Sequence, residues 1–532
     1  MVRSKNIFYG NGLFRSGYLI YLVPFLYFVI MLFVSMTNRK IGDYGVETDF
    51  YVAYIPQARE LLNGNLIIDQ YRGPVYQVFL AIAGFFSGYD YFTAGKYLNV
   101  ISASVTLVFT GKIISSVFNK EVAFVSVLLV STNSVFWRYT YEPGTDMLFL
   151  VFYTSALYFI LKNEELNNTD LLIAGFLTGF AYLTRYTGLS LIILVILIFT
   201  IQLFKKFKQT SPLKKHIFIK PILCFFIPVI IMVSVWGVIT QQKTGEFFYN
   251  KNFHNIAYSI YKPVEMGKDE WESKHQDEFK SLTDVIFKDF GIFTQKIFNN
   301  FTTYFVKDIF RFFPKYLGIF AAVGLLVFIL TYRSTGLRGK YYVLAGLIFY
   351  FQILLIFYSE RFTLPLLPLY CFLIVRLFSA DFLQRFNVRI LKFKAFGIIV
   401  LLLLILNFCN SYIIAREEIN KGPVEILTIR EWMNKNFTED TSKKSIMARK
   451  PHIGYYLDMN FIAMPYAANY EEFIKNVNNS KADFVFVSEN EGSIISNDEL
   501  KKNLFDLESP PEEFEIITST KNPLTILYKV KR

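Results

Sequence analysis

Charged residues are scarce in this chain: Asp, Glu, Lys and Arg make up 18% of its 532 residues, against 53% hydrophobic ones. That shortage excludes a soluble globular domain and points to a polytopic membrane protein. Cysteine is almost missing, and Cys224, Cys371 and Cys409 all fall in apolar runs. A disulfide framework or a cysteine-based metal site is thereby excluded. The polar, basic N-terminus (Arg3, Lys5, Arg15) leads into a full-length apolar run with no A-x-A cleavage site, so that run reads as a retained first span. Internal repeats and low-complexity segments are absent. The net charge of +12 would suit nucleic acid. However, the basic residues gather in short segments between apolar runs, as in cytoplasmic loops beside anionic lipid, and nucleic acid is not expected as a partner.

What the chain does have is long apolar runs. They occupy residues 18–36, 96–118, 122–137, 146–161, 171–183, 188–204, 218–239, 316–332, 341–358, 362–378 and 395–412. These predict eleven transmembrane helices. A further run, 75–87, is too short to cross and reads as an interfacial or re-entrant helix. With the N-terminus in the cytoplasm, the most basic short loops, 205–220, 332–340 and 377–394, all fall inside. The expected fold is an all-α polytopic bundle spanning 1–414, with outer loops at 37–95 and 241–315 and interfacial helices near 287–313. From Ala415 the composition changes. A helix is predicted at 424–434 and strands at 482–488, 514–518 and 525–530, giving a small extracytoplasmic α/β domain over 415–532. His452, in ARKPHIGYY, reads as a structural or surface histidine. The expected location is the plasma membrane.

The first outer loop, DYGVETDFYVAYIPQARELLNGNLIIDQYRGPVYQ, is the segment around which the rest is arranged. Tyr51, Ile55, Ala58 and Leu62 recur at helical spacing, Pro56 predicts a kink or a fresh helix start, and Asn63-Gly64 a stop. An amphipathic helix beside a span lies in the interface. Asp49 at its N-terminal end can there face water and serve as a base.

Four arginines break the positive-inside pattern: Arg72, Arg138, Arg185 and Arg361 all fall on the predicted outer face. Snorkelling or local ion pairs, such as Arg361 with Glu360 or Arg138 with Glu142, account for any one of them. A shared anionic ligand, a lipid phosphate or pyrophosphate, accounts for all four together. Asp43, Glu47, Asp49, Glu142 and Asp146 share that side. Asp146 at the mouth of a span also suits a helix N-terminus. Such carboxylates are able to hold a divalent cation, with Asp146 and His254 as candidate ligands, although a lone loop histidine is usually just solvated.

TDFYVAYIPQARELLNGN with YRGPVYQVFLAI, then NSVFWRYTYEPGTDMLFLVFYTSALYF, GFLTGFAYLTRYTGLSLI, SERFTLPLLPLY and ADFVFV follow one another along the chain. In order and spacing they resemble the GT-C membrane glycosyltransferases of the protein-mannosyltransferase and aminoarabinose-transferase type. The resemblance implies a polyprenyl-phosphate-linked sugar as donor, a hydroxyl-bearing acceptor (protein, lipid or envelope glycan), and inverting transfer at the outer membrane face. It places Asp49 on the catalytic acidic position. Arg72 falls near the basic residue of a Lys-Pro-Pro-like motif, from which RGPVY departs. The implied donor-binding residues are Arg72, Arg138, Arg185 and Arg361, while Tyr71, Glu142 and Asp146 organise the site or the acceptor. A tight Asp-x-Asp pair is missing, which leaves metal dependence open. The competing class is a flippase or transporter of lipid-linked sugars, whose charges would gather near the midplane of paired, discontinuous helices.

Overall fold

The computed structural model describes residues 17–531 except 46, 165–166, 208–218, 264–270, 272–273, 385–388, 391–392, 466, 468 and 492–497. Most of the predicted basic loop 205–220 and part of 377–394 therefore lie outside the described residues.

Each predicted apolar run falls mainly on helix among the described residues, although the run 341–358 leaves helix after Ile353 and the run 122–137 is interrupted after Ser131. Among the described residues six helices are long and apolar enough to cross a membrane: Leu19–Asn38, Tyr91–Val117, Tyr186–Phe204, Ile219–Thr244, Glu360–Phe378 and Ala395–Glu418. Lys120–Ser131 and Ser134–Tyr141 form a seventh only if counted as one span bent by 61°. The expected eleven thus reduces to six or seven by length. Thr145–Leu161 and Tyr316–Leu330 are apolar but shorter. The run at 75–87 forms helix Val75–Phe86, too short to cross, as expected.

Packing follows composition. Helices Asn168–Thr184 and Ile219–Thr244 lie backbone to backbone because Gly175 meets the Phe225 carbonyl, where a Cβ would stand 2.3 Å from the oxygen. Helix Phe290–Phe312, in the long segment between Thr244 and Lys315, keeps Phe298 and Phe310 exposed and buries Tyr304 and Asp308. Its two-faced pattern is that of an interfacial helix.

Beyond Ala395–Glu418 the chain forms a five-stranded sheet. Its strands are β1 (Ser445–Ala448), β2 (Asn460–Ala463), β3 (Phe484–Ser488), β4 (Phe514–Lys521) and β5 (Leu524–Val530). The order is β2-β1-β3-β5-β4, with β1 parallel to β2 and β3, and β5 antiparallel to β3 and β4. β3, β4 and β5 lie on the predicted strands, and helix Glu425–Asn436 on the predicted helix. One face of the sheet packs on Phe473, Val477 and Leu500. The other packs on Ile426, Ile429 and Ile453 together with Ile41 from the first loop. The sheet is thereby joined to the loop that carries Asp49.

Candidate functional site

The local sequence after the first helix accounts for the shape of the first loop. Asp49 precedes a five-residue π turn, Phe50–Tyr54, which passes into helix Ile55–Leu62 with Pro56 in its first turn. Proline suits that place because its missing N–H would go unused there. Of the apolar stripe, Tyr51, Ile55 and Ala58 are buried while Leu62 is exposed. The helix stops at Asn63, followed by Gly64 at φ +84°. Single π turns are frequent at functional sites, where they re-aim a side chain.

Asp49 stands among guanidinium groups. Arg72 Nη2 donates to its Oδ1 at 2.7 Å and Arg361 Nη1 lies 3.6 Å from Oδ2. The Asp49 side chain remains 43% exposed, so it is open to a water-borne reactant. Arg72 also donates to Asp69 at 2.6 Å and covers the Tyr54 ring. Arg361 Nε donates to Asp146 Oδ2 at 2.7 Å, and Arg185 pairs with the other oxygen of Asp146. Arg185 in turn lies over the Phe362 ring. Five charged groups from four separate segments thus meet at one end of the bundle: Asp49, Arg72, Asp146, Arg185 and Arg361. Lys162, Asp170, Arg338 and Arg376 mark other helix ends, pairing with one another or with nearby carbonyls and hydroxyls.

Gly73 explains the departure from a Lys-Pro-Pro-like motif. A Cβ at this position would fall 1.9 Å from the Leu183 carbonyl oxygen. Glycine therefore lets the backbone next to Arg72 press against the end of helix Asn168–Thr184, two residues before Arg185.

Arg138 is not part of this group. It donates to Glu142 at 2.9 Å, the local ion pair weighed from sequence, and lies 3.7 Å from Asp43. Glu142 accordingly belongs to a neighbouring buried cluster centred on Arg39. Arg39 pairs with Glu47 and lies 3.6 Å from Asp43 and 3.8 Å from Glu142. Its other amino group donates to the carbonyls of Ile419 and Lys421 at 3.2 and 2.7 Å. Lys96 donates to the Arg39 carbonyl at 3.0 Å. Burial pushes the Glu47 carboxyl up to about 7 against the pull of Arg39. It also raises Glu142 well above the carboxylate range, helped by the Glu47 charge. Arg39 and Lys96 were missed from sequence, although both stand on the predicted outer face and break the positive-inside pattern as the other arginines do. Glu360 pairs with Arg311 at 2.8 Å rather than with Arg361.

Tyr71 is half-buried, and its carbonyl accepts from Asn252 at 3.0 Å. The Lys251 N–H donates to the Gln70 carbonyl at 2.8 Å, so the segment following helix Ile219–Thr244 closes against the Arg72 turn. His254 is buried in helix Phe253–Tyr261 with its ring against Phe253. The metal expectation does not fit this arrangement. Both Asp146 oxygens face guanidinium groups, and among the described residues no group of three or more His, Cys, Asp or Glu side chains is placed to hold an ion.

Residues 73–236, under a third of the chain, match the family model for dolichyl-phosphate-mannose-protein mannosyltransferase. Among solved structures, ArnT from Cupriavidus metallidurans bound to undecaprenyl phosphate superposes with a TM-score of 0.58 at 11% identity, over 95% of this chain and 97% of that one. Its apo state gives 0.56 with the same identity and coverage. The oligosaccharyltransferase AglB from Archaeoglobus fulgidus, in complex with an inhibitory peptide and a dolichol-phosphate, gives 0.50 at 13% identity over 90% of this chain and 70% of that one. A search of curated proteins finds no match.

Proposed function

For a chain that carries the fold of the GT-C membrane glycosyltransferases, we propose transfer of a sugar from a polyprenyl-phosphate donor to a hydroxyl acceptor at the extracytoplasmic membrane face. One observation carries this reading. The half-exposed Asp49 carboxylate lies against Arg72 and Arg361, and Arg361 is tied through Asp146 to Arg185.

In this mechanism Asp49 takes the proton of the acceptor hydroxyl, whose oxygen attacks the anomeric carbon. The bond between that carbon and the phosphate oxygen breaks, and polyprenyl phosphate leaves with the electron pair. Arg361 Nη1 stands 3.6 Å from Asp49, too far for a hydrogen bond, so it is free to turn to a phosphate oxygen. Arg72 and Arg361, held in place beforehand, oppose the charge that grows on the leaving group. Asp146 is a positioning residue, because each of its oxygens orients one arginine. One base without a carboxylate nucleophile fits a single, inverting displacement rather than two. The sheet of residues 415–532 is assigned to the extracytoplasmic side with the loop it packs on, and Arg138 and Glu142 to framework rather than donor binding.

The test is incubation of purified protein, in detergent and in vesicles, with labelled polyprenyl-phosphate pentose and hexose donors and an envelope extract. A new glycosidic product supports the proposal. Label that crosses the vesicle membrane without a product indicates a transporter instead, and neither outcome in any donor rejects both.

A further inference from the structure

The loop that carries Asp49 is not held by the helical bundle alone. The His452 Nε2 hydrogen-bonds the Asp43 carbonyl at 2.8 Å, with the ring fully buried. Tyr44 meets that ring edge-on at 4.9 Å and Tyr51 packs against it at 4.2 Å. The Tyr51 hydroxyl lies 3.1 Å from the Tyr456 hydroxyl and accepts from the Gly42 N–H at 3.1 Å. Lys450 Nζ donates to Thr48 Oγ1 at 3.4 Å. His452, Lys450 and Tyr456 all come from the turn and short helix between β1 and β2. The residues they hold flank Asp49 on both sides and include Tyr51 of the π turn itself.

We infer that the C-terminal sheet is part of the catalytic apparatus and that His452 is a positioning residue for Asp49, fixing the loop from Asp43 to Tyr54. The inference rests on the proposed function, since it gives the C-terminal unit a role in that same site. A carbonyl can only accept, so His452 must present N–H at Nε2. Burial depresses the ring to about 3, which keeps it neutral and lets the other nitrogen remain unprotonated. A neutral ring wedged between Tyr44 and Tyr51 sets both the height and the rotation of the segment. Without it the partly buried Asp43 carbonyl loses this donor, and the preferred orientation of the Asp49 carboxylate is lost. Arg72 and Arg361 touch Asp49 but are also anchored outside the clasped segment, by Asp69 and Asp146, and Arg185 pairs with Asp146, so donor binding and base placement separate.

Two measurements on the full-length protein test this. One is amide hydrogen exchange over residues 43–54; the other is steady-state transfer with a labelled polyprenyl-phosphate donor, alongside binding of undecaprenyl phosphate. For His452→Ala, exchange in that segment should rise about fivefold or more, the ratio for one lost hydrogen bond. Turnover should fall by about 10- to 100-fold, as for a misplaced catalytic group. Donor KM should stay close to the wild-type value. His452→Gln, whose amide can donate from nearly the same place, should recover most of both. If His452→Ala does not accumulate, Tyr456→Phe keeps the ring, removes one hydroxyl bond to Tyr51 and should show the same signs at smaller size. Unchanged exchange, or raised exchange with unchanged turnover, overturns the inference. An equal rise in donor KM for both variants overturns it as well. If the wild-type protein transfers no sugar, the proposed function fails, while the exchange arm still reports whether the clasp exists.

Discussion

Two carboxylates, Asp49 and Asp146, converge on Arg361, and replacing it gives a prediction whose size follows from the geometry. Its Nε donates to Asp146 at 2.7 Å and its Nη1 approaches Asp49 to 3.6 Å, with the side chain 13% exposed. In Arg361→Gln, Asp146 keeps Arg185 and Asp49 keeps Arg72, so neither carboxylate is stranded. The full cost of an orphaned buried charge, about 3–5 kcal/mol, therefore does not apply to folding. What is lost is a donor free to follow charge onto the leaving phosphate. Removing one preorganised donor of this kind costs about 10²–10³ in turnover, or roughly 2.7–4 kcal/mol. Arg361→Lys keeps the charge but not the planar fork. It can serve Asp146 or the phosphate, not both, and should fall between wild type and Arg361→Gln. Steady-state kinetics with a labelled polyprenyl-phosphate sugar separates the possibilities. A loss in kcat that exceeds the change in donor KM is expected. If Arg361→Gln raises KM while kcat is unchanged, the residue only binds the donor. If it changes neither, the arginine is a surface ion pair and its proposed role is wrong.

Other perturbations follow from the same contacts. Gly73→Ala places a Cβ 1.9 Å from the Leu183 carbonyl, so the Arg72 turn must move away from Arg185; transfer should fall, and Gly73→Ser should be no better, as activity measurements would show. Arg39→Met leaves Glu47 buried with its main partner gone, and should destabilise the folded protein by about 3–5 kcal/mol, read as an earlier unfolding transition in detergent. Folded His452 titrates near 3 but has an ordinary value of 6.5, so the unfolded chain binds the extra proton and this residue's contribution to stability is lost as pH falls below 6.5, by about 1.4 kcal/mol per unit. Burial raises Glu491 to about 8, which acts in the opposite sense as pH rises above its ordinary value. The diagnostic quantity is therefore the difference in unfolding temperature between wild type and His452→Gln, which should shrink as pH drops from 7 to 5.

Much of the site was legible because charge stands out in an apolar sequence. Asp49, Arg72, Asp146, Arg185 and Arg361 border apolar runs on one predicted side, and a common location follows from that alone. Arg138 obeyed the same logic yet pairs with Glu142 four residues on, since a helical i,i+4 spacing offers a partner before any distant one does. Arg39 and Lys96 carried the same signal but were not singled out. Their burial arises from contacts with residues as far off as Ile419, which no local pattern records. Apolar runs located the helices but not their lengths: Gly144 and Asn167 bound Thr145–Leu161 and Asn168–Thr184 so closely that neither reaches the length of a clear span. Strands β1 and β2 escaped notice because SIMA and NFIA are four residues long and lack alternation, being set by parallel pairing across the sheet. The clasp at His452 was invisible for the same reason, because its partners lie some four hundred residues away.

The sharpest measurement pairs undecaprenyl-phosphate binding with sugar transfer for wild type and Asp49→Asn. Base catalysis by Asp49 predicts that the variant binds the lipid phosphate about as well as wild type while transfer falls by about 10²–10⁴ or more. An Asp49→Asn protein that still transfers sugar at close to the wild-type rate would contradict it.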